Sequence, residues 1–280
     1  LLGAADGTAE VNTSALTAAR GRDTITVDAD NVGSSIKFAS LSRSTAAGML
    51  LFRYEEGLGS IQFGTGPALT GAGLDGTTNK GVIPYALVDT SLTGNGASFA
   101  TYSGASGGSN VTIRGLAAGE YTTTMTANQN VVLSSVATIS APTTVNTLTL
   151  ESGGGVTGAT TLYSNAILAK PGNAGINVST VYNIYSNYDM LWHVPGVASD
   201  VTTVTGVLTN INYVNVAGGG TLYLASRQLG TPQYNVSGAT LRLKSGEVNP
   251  AGDFYLFRVF GSQFGSRCGE DFSCTVHVAL

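Results

Sequence analysis

The sequence predicts an all-β chain wound as a solenoid, and three observations carry that expectation. The first is composition: 280 residues hold 38 Gly and 42% hydrophobic residues, but only 11% charged ones. Short strands and tight turns have this make-up, whereas helices want Glu, Lys, Arg, Leu and Ala. The second is a rewritten strand: "TLTL" at 147–150 returns as "TLYS" at 161–164, "TLYL" at 221–224 and "TLRL" at 240–243. The third is spacing. Leu148 to Ile167 and Leu222 to Leu241 are both 19 residues, and Ile184, Val204 and Leu222 continue from Ile167 with steps of 17, 20 and 18. A period near this length marks a coil of backbone stacked on its neighbours.

Each element follows from local chemistry. In the rewritten strand Leu222 and Leu224 point one way and Thr221 and Tyr223 the other. Stacked coils should therefore show Leu, Ile and Val inside and a Thr/Ser/Asn ladder outside. Gly and Asn fall between strands, where corners need positive φ. An antiparallel sandwich would also show short alternating strands, but hairpin signals are scarce and "GNG" at 94–96 is the exception. "GVIPYALV" from Gly81 and "FATY" from Phe99 are β-branched and aromatic strands. Pro84 assigns its segment to an edge or corner, since it cannot donate to a ladder. Arg114 and Glu120 are placed to pair across a turn, as a surface pair contributing about 0–1 kcal/mol. The aromatic run at 253–264, "DFYLFRVFGSQF", reads as a cover over one open end of the core, with a sugar-stacking platform as the alternative.

The net charge of -4 and the absence of any basic cluster beyond "RGR" at 20–22 argue against nucleic acid and anionic membranes as partners. No apolar run approaches the roughly 20 residues of a transmembrane helix. The chain opens on Leu1, so it reads as a processed chain or a fragment, and its low charge suits a secreted bacterial protein. Residues 1–266 read as one repeat domain. Residues 267–280 depart from the repeat style and read as a tail foreign to it. Cys268 and Cys274 lie there, and a small disulfide loop and two free thiols both fit their spacing.

Between residues 38 and 150, "LSRSTAAGMLLFR", "IQFGTGPALTGAG", "GVIPYALVDTSLTGNGASFATYSG", "IRGLAAGEYTT" and "TTVNTLTLESGGG" follow in order. This series resembles the bacterial autotransporter-associated β-strand repeat family, and "NAILAKPGN" and "GGGTLYL" extend the resemblance over roughly residues 35–262. The resemblance implies a right-handed parallel β-helix, exported and acting as a passenger or stalk at the cell surface. It carries no catalytic residues over.

Candidate chemistry is sparse. Asp28 and Asp30, with Asn31, offer hard oxygen ligands suited to calcium, although no known calcium-loop pattern surrounds them, and an exposed polar turn is the plainer reading. Without that site, no cofactor is implied. His193, with Asp189 four residues earlier and Trp192 beside it, is the one histidine in the body of the chain. In a loop, Asp189 and His193 would orient each other for nucleophilic catalysis near a serine, or His193 would be an ordinary surface histidine. Tyr182, Tyr185 and Tyr188 add rings that would suit sugar stacking. A lyase would need Lys170, Arg227 or Arg242 as base, each of which reads more simply as a solvated surface residue. The expected function is structural and adhesive, touching polysaccharide or neighbouring surface proteins. A β-helical hydrolase or polysaccharide lyase with a shallow groove is the alternative.

Overall fold

The computed structural model describes residues 9–29, 33–44, 48–184, 189–209, 211–226, 232–244, 254–257 and 275–276. They are almost entirely β, arranged as parallel stacked coils. The chain divides into two compact units, Leu1–Tyr121 and Thr122–Leu280.

In the first unit the first two coils carry three short strands each. The first coil is β1 (Ala9–Thr13), β2 (Leu16–Ala18) and β3 (Gly21–Val27), and the second is β4 (Ser34–Phe38), β5 (Leu41–Arg43) and β6 (Gly48–Tyr54). The third holds β7 (Gly59–Thr65) and β8 (Ile83–Asp89). Ala9 lies opposite Ser34 and Ser34 opposite Gly59, a repeat of 25 residues. Phe38, Phe52 and Phe63 fill the interior, Phe38 stacking on Phe63 at 5.5 Å and Phe52 meeting Phe63 edge-on at 6.1 Å. Rings of this size dominate a small core, which is why three short faces suffice here.

Parallel stacking then stops. β9 (Ser98–Tyr102) runs antiparallel to β8, and β10 (Ser109–Gly115) runs antiparallel to both β9 and β7. The β8–β9 connection contains "GNG", which holds the one Asn-Gly dipeptide in the sequence, and it is a true hairpin. β9 and β10 thereby pair the strand edges that β7 and β8 would otherwise leave open. Pro84 is buried within β8, not at a sheet edge. It is tolerated because the β6 pairing begins only at Ala86 and the β9 register breaks between Ile83 and Leu87, so no ladder hydrogen bond is demanded of it.

The second unit returns to parallel coils. Its strands are β11 (Asn130–Leu133), β12 (Val136–Thr138), β13 (Thr143–Leu150), β14 (Gly155–Ala169), β15 (Gly175–Asn183), β16 (Asp189–Val194) and β17 (Val201–Val204). There follow β18 (Val207–Thr209), β19 (Tyr213–Gly218), β20 (Thr221–Leu224), β21 (Gln233–Ser237), β22 (Thr240–Leu243), β23 (Phe254–Phe257) and β24 (Thr275–Val276). β14 turns a corner within its own length at Gly158, where a Cβ would meet the Ile139 carbonyl oxygen and φ is +150°. Stacking puts Val131, Leu148, Ile167, Trp192, Val216 and Val236 in one buried column. Each such side chain contributes about 1.5–3 kcal/mol relative to exposure.

The repeat spacing is partly as expected. Leu148 does stack on Ile167 and Leu222 on Leu241. Ile184 does not join the series: it follows β15 and is exposed, while Val204 stacks between Ile176 and Leu224. The copies of the rewritten strand also lie in different ladders, Thr147 opposite Ala166 but Thr161 opposite Thr180. Phe254–Phe257 of the aromatic run is a ladder strand paired with β21, and the rest of that run lies outside the described residues. So do Cys268 and Cys274.

Polar groups inside the second unit are consumed by stacking. Asn146 donates to Asn130 at 2.7 Å, Asn165 to Asn146 at 3.0 Å and Asn235 to Asn215 at 2.8 Å, and all five are buried. Thr147 Oγ1 adds a second bond to Asn130 at 3.0 Å. A satisfied amide ladder contributes about 1 kcal/mol per bond, and an orphaned member costs about 1–3 kcal/mol.

Candidate functional site

The segment around His193 is a strand, not a loop. β16 stacks between β14 and β19, with His193 opposite Leu168 and Ala217 and Trp192 opposite Ile167 and Val216. Met190, Trp192 and Val194 enter the core, so alternation turns Asp189, Leu191 and His193 to the other face. That face is buried as well, His193 being 2% exposed and Asp189 1%. The expectation of a surface histidine in an aromatic loop is therefore corrected. On an extended strand a spacing of four places Asp189 and His193 about 13 Å apart, beyond mutual hydrogen bonding. The outward polar ladder expected from alternation also fails here. Thr149, Leu168, His193, Ala217 and Ser237 form an outward column that is buried throughout.

Among the aromatic residues, Tyr182 is half-buried on β15 and sits in register with Tyr163 of the preceding coil and Thr209 of the next. The two rings lie 5.1 Å apart, tilted by 52°. A second pair occurs on another ladder, where the Arg242 guanidinium lies 4.9 Å from the Tyr223 ring. Trp192 is not part of either surface; it is wholly in the core. Tyr185 and Tyr188 lie outside the described residues, as does Arg227. Lys170 pairs with Glu151 at 2.8 Å where successive coils turn the same corner.

Asp28 follows β3, while Asp30 and Asn31 lie outside the described residues. Among the described residues no three His, Cys, Asp or Glu side chains gather as a metal site would require, and no helix is long and apolar enough to cross a membrane.

The densest charge cluster lies in the first unit. Arg114 grips Glu120 with two hydrogen bonds of 2.7 Å and reaches Asp75 at 3.1 Å, and Asp75 also binds Lys80 at 2.9 Å. Lys80 is 0% exposed and Glu120 1%, while Asp75 and Arg114 reach solvent, so this is a half-buried network of four rather than the surface pair expected. Glu120 accepts backbone N–H bonds from Ala117 at 2.9 Å and Gly76 at 3.1 Å, and Lys80 donates to the Gly104 carbonyl at 2.8 Å. Burial pushes the Glu120 carboxyl up, but its bonds to Arg114, Ala117 and Gly76 and the Arg114 charge outweigh that and hold it below its ordinary value. Asp75 is held low chiefly by its hydrogen bond to Lys80, and Arg114 is held high chiefly by Glu120. Sequence spacing could suggest the Arg114–Glu120 half, but nothing local pointed to Asp75 and Lys80, which arrive from a loop between β7 and β8. The network's chemistry is that of a clasp: every carboxylate in it is already bonded to a cation.

No protein-family model, curated protein or solved structure matches the chain.

Proposed function

We propose that this chain is a structural and adhesive segment of a secreted or surface-displayed bacterial protein, in which stacked coils present outward columns that touch polysaccharide. The carrying observation is the Tyr163–Tyr182 pair, two half-buried rings held in register on successive coils at 5.1 Å. Rings fixed by a ladder offer apolar faces and phenolic hydroxyls without the entropy cost of ordering a loop, which suits contact with the C–H face and hydroxyls of a sugar. The resemblance to autotransporter-associated repeats supports the same role. Supporting it too are the inward Asn ladders and the ionic clasp, which spend polar groups on architecture.

The test is retention of the purified chain on immobilised bacterial and plant polysaccharides, with release of reducing ends followed in the same samples. Retention without cleavage is expected, weakened about 3–10-fold by Tyr182→Ala. Cleavage of any polymer, or retention indifferent to both Tyr163→Ala and Tyr182→Ala, overturns the proposal.

A further inference from the structure

Asn95–Gly96 is the one Asn-Gly dipeptide in the sequence, and it lies in the β8–β9 hairpin connection. Asp89 organises that connection: its Oδ1 accepts the Ser91 amide at 2.9 Å and its Oδ2 the Gly96 amide at 2.8 Å. Gly96 is buried at φ +110°, where a Cβ would strike Leu87, so only glycine fits. Two arginines hold the other side. Arg22 Nη2 donates to the Asn95 backbone carbonyl at 2.6 Å, and Arg53 Nε donates to the Gly94 carbonyl at 2.6 Å. Arg53 Nη2 faces Asn95 Oδ1 at 3.5 Å. The electrophile, nucleophile, base and oxyanion partner of one reaction thus meet at a single loop, the base from the end of β8 and the oxyanion partner from β6.

We propose that Asn95 is a site of self-deamidation, in which the Gly96 amide nitrogen attacks the Asn95 side-chain carbonyl with Asp89 as base and Arg53 as oxyanion partner. A bond forms from Gly96 N to Asn95 Cγ while the amide proton passes to Asp89 Oδ2. The charge on Oδ1 develops facing the Arg53 guanidinium, as an oxyanion site requires. Collapse breaks the Cγ–Nδ2 bond, and Asp89 returns its proton to the departing nitrogen, which leaves as ammonia. The resulting cyclic imide is opened by water to an aspartate or an isoaspartate at position 95. No oxidant, reductant or cofactor enters the balance.

The product is a new carboxylate beside two guanidiniums. Arg22 has its pKa lowered to about 10, by burial first and by the Arg53 charge second, with the Asp89 carboxylate opposing both. Asp75–Gly76 supplies an internal contrast: there too a glycine amide meets a carboxylate, Glu120 at 3.1 Å, and the preceding side chain meets a guanidinium, that of Arg114, at 3.1 Å. Asp75 is held ionised, and a carboxylate must first be protonated to lose water, so the same arrangement should cyclise far more slowly.

Peptide mass mapping of the intact folded chain, incubated beside the same chain in concentrated urea, tests this. In the folded chain, Asn95 should convert at least about tenfold faster than in urea. Asp89→Asn should slow only the folded reaction, by about 100-fold. Folded-state conversion should also be nearly flat with pH across the neutral range, because the base is a carboxylate, whereas in urea it should rise in proportion to hydroxide. The pH profile needs no variant, so it stands even if Asp89→Asn disturbs the hairpin. Conversion in the folded chain equal to or slower than in urea, or a folded profile that follows hydroxide, overturns the proposal.

Discussion

The two units solve one problem with different materials. Both stack short parallel strands. The first has 25-residue coils around three phenylalanines, and it ends its parallel run with an antiparallel hairpin and an ionic clasp. The second keeps a column of aliphatic side chains and Trp192 in register and satisfies its interior polar groups with neutral Asn ladders. Where stacking continues, each coil meets an equivalent neighbour and repeated amides suffice. Where stacking stops, edges and loops must be held by groups that are not repeated, and charge with fixed geometry does that.

Substitutions can break this comparison one unit at a time. The largest effect is expected from Trp192→Ala, which empties the centre of the buried column and should cost about 3–5 kcal/mol, read as a fall in the urea midpoint by circular dichroism. Protection of β13–β19 amides against hydrogen exchange should fall with it, while that of β3, β6 and β8 should hold. Next, Glu120→Ala takes from Arg114 its buried carboxylate partner and from the Gly76 and Ala117 amides their acceptor. A cost of about 3 kcal/mol is expected, confined to the exchange of the first unit. Asn146→Ala takes the acceptor from Asn165 and one of two donors from Asn130 Oδ1, and should cost about 1–3 kcal/mol. Leu at the same position should cost no less, since a larger apolar group restores neither bond. The smallest effect belongs to Tyr182→Ala, whose half-buried ring should contribute about 0.5–1.5 kcal/mol to stability. A larger loss of stability there would mark the ring as architecture instead of contact surface.

Much of the fold was legible in the residues and little of the site. Alternation in "TLTL" and "TLYL" identified which leucines enter the core, and register bears this out at Leu148, Leu222 and Leu241. The same alternation misled across faces, because every face of a coil demands the same apolar–polar rhythm and the motif carries no label for its ladder. Hence Ile184 entered the series wrongly. Burial of His193 was hidden for a related reason: period-two patterning says which side of a strand a residue takes, not whether that side meets water. In the clasp, Asp75 and Lys80 come from the β7–β8 loop, Arg114 from β10 and Glu120 from the turn after it, and they meet only through the antiparallel closure, which no local signal announces beyond "GNG".

Acid tests the contrast between units most directly. Asp75 and Glu120 are both held below their ordinary carboxyl range by their cations and hydrogen bonds. Their stabilisation is therefore full above the unfolded carboxyl range, about pH 4, and is lost as pH falls through their lower folded values. Asp23, raised by burial, shifts in the opposite sense and offsets a part of this. The Asn ladders of the second unit contain no titrating group. The measurement is hydrogen exchange of the whole chain, resolved by peptide and run from neutral pH down through the carboxyl range. The account predicts that β7, β8, β9 and β10 lose protection first, while β13 and β14, whose buried polar groups are amides and hydroxyls, remain protected. Simultaneous loss in β7–β10 and β13–β14, or earlier loss in β13 and β14, would contradict it.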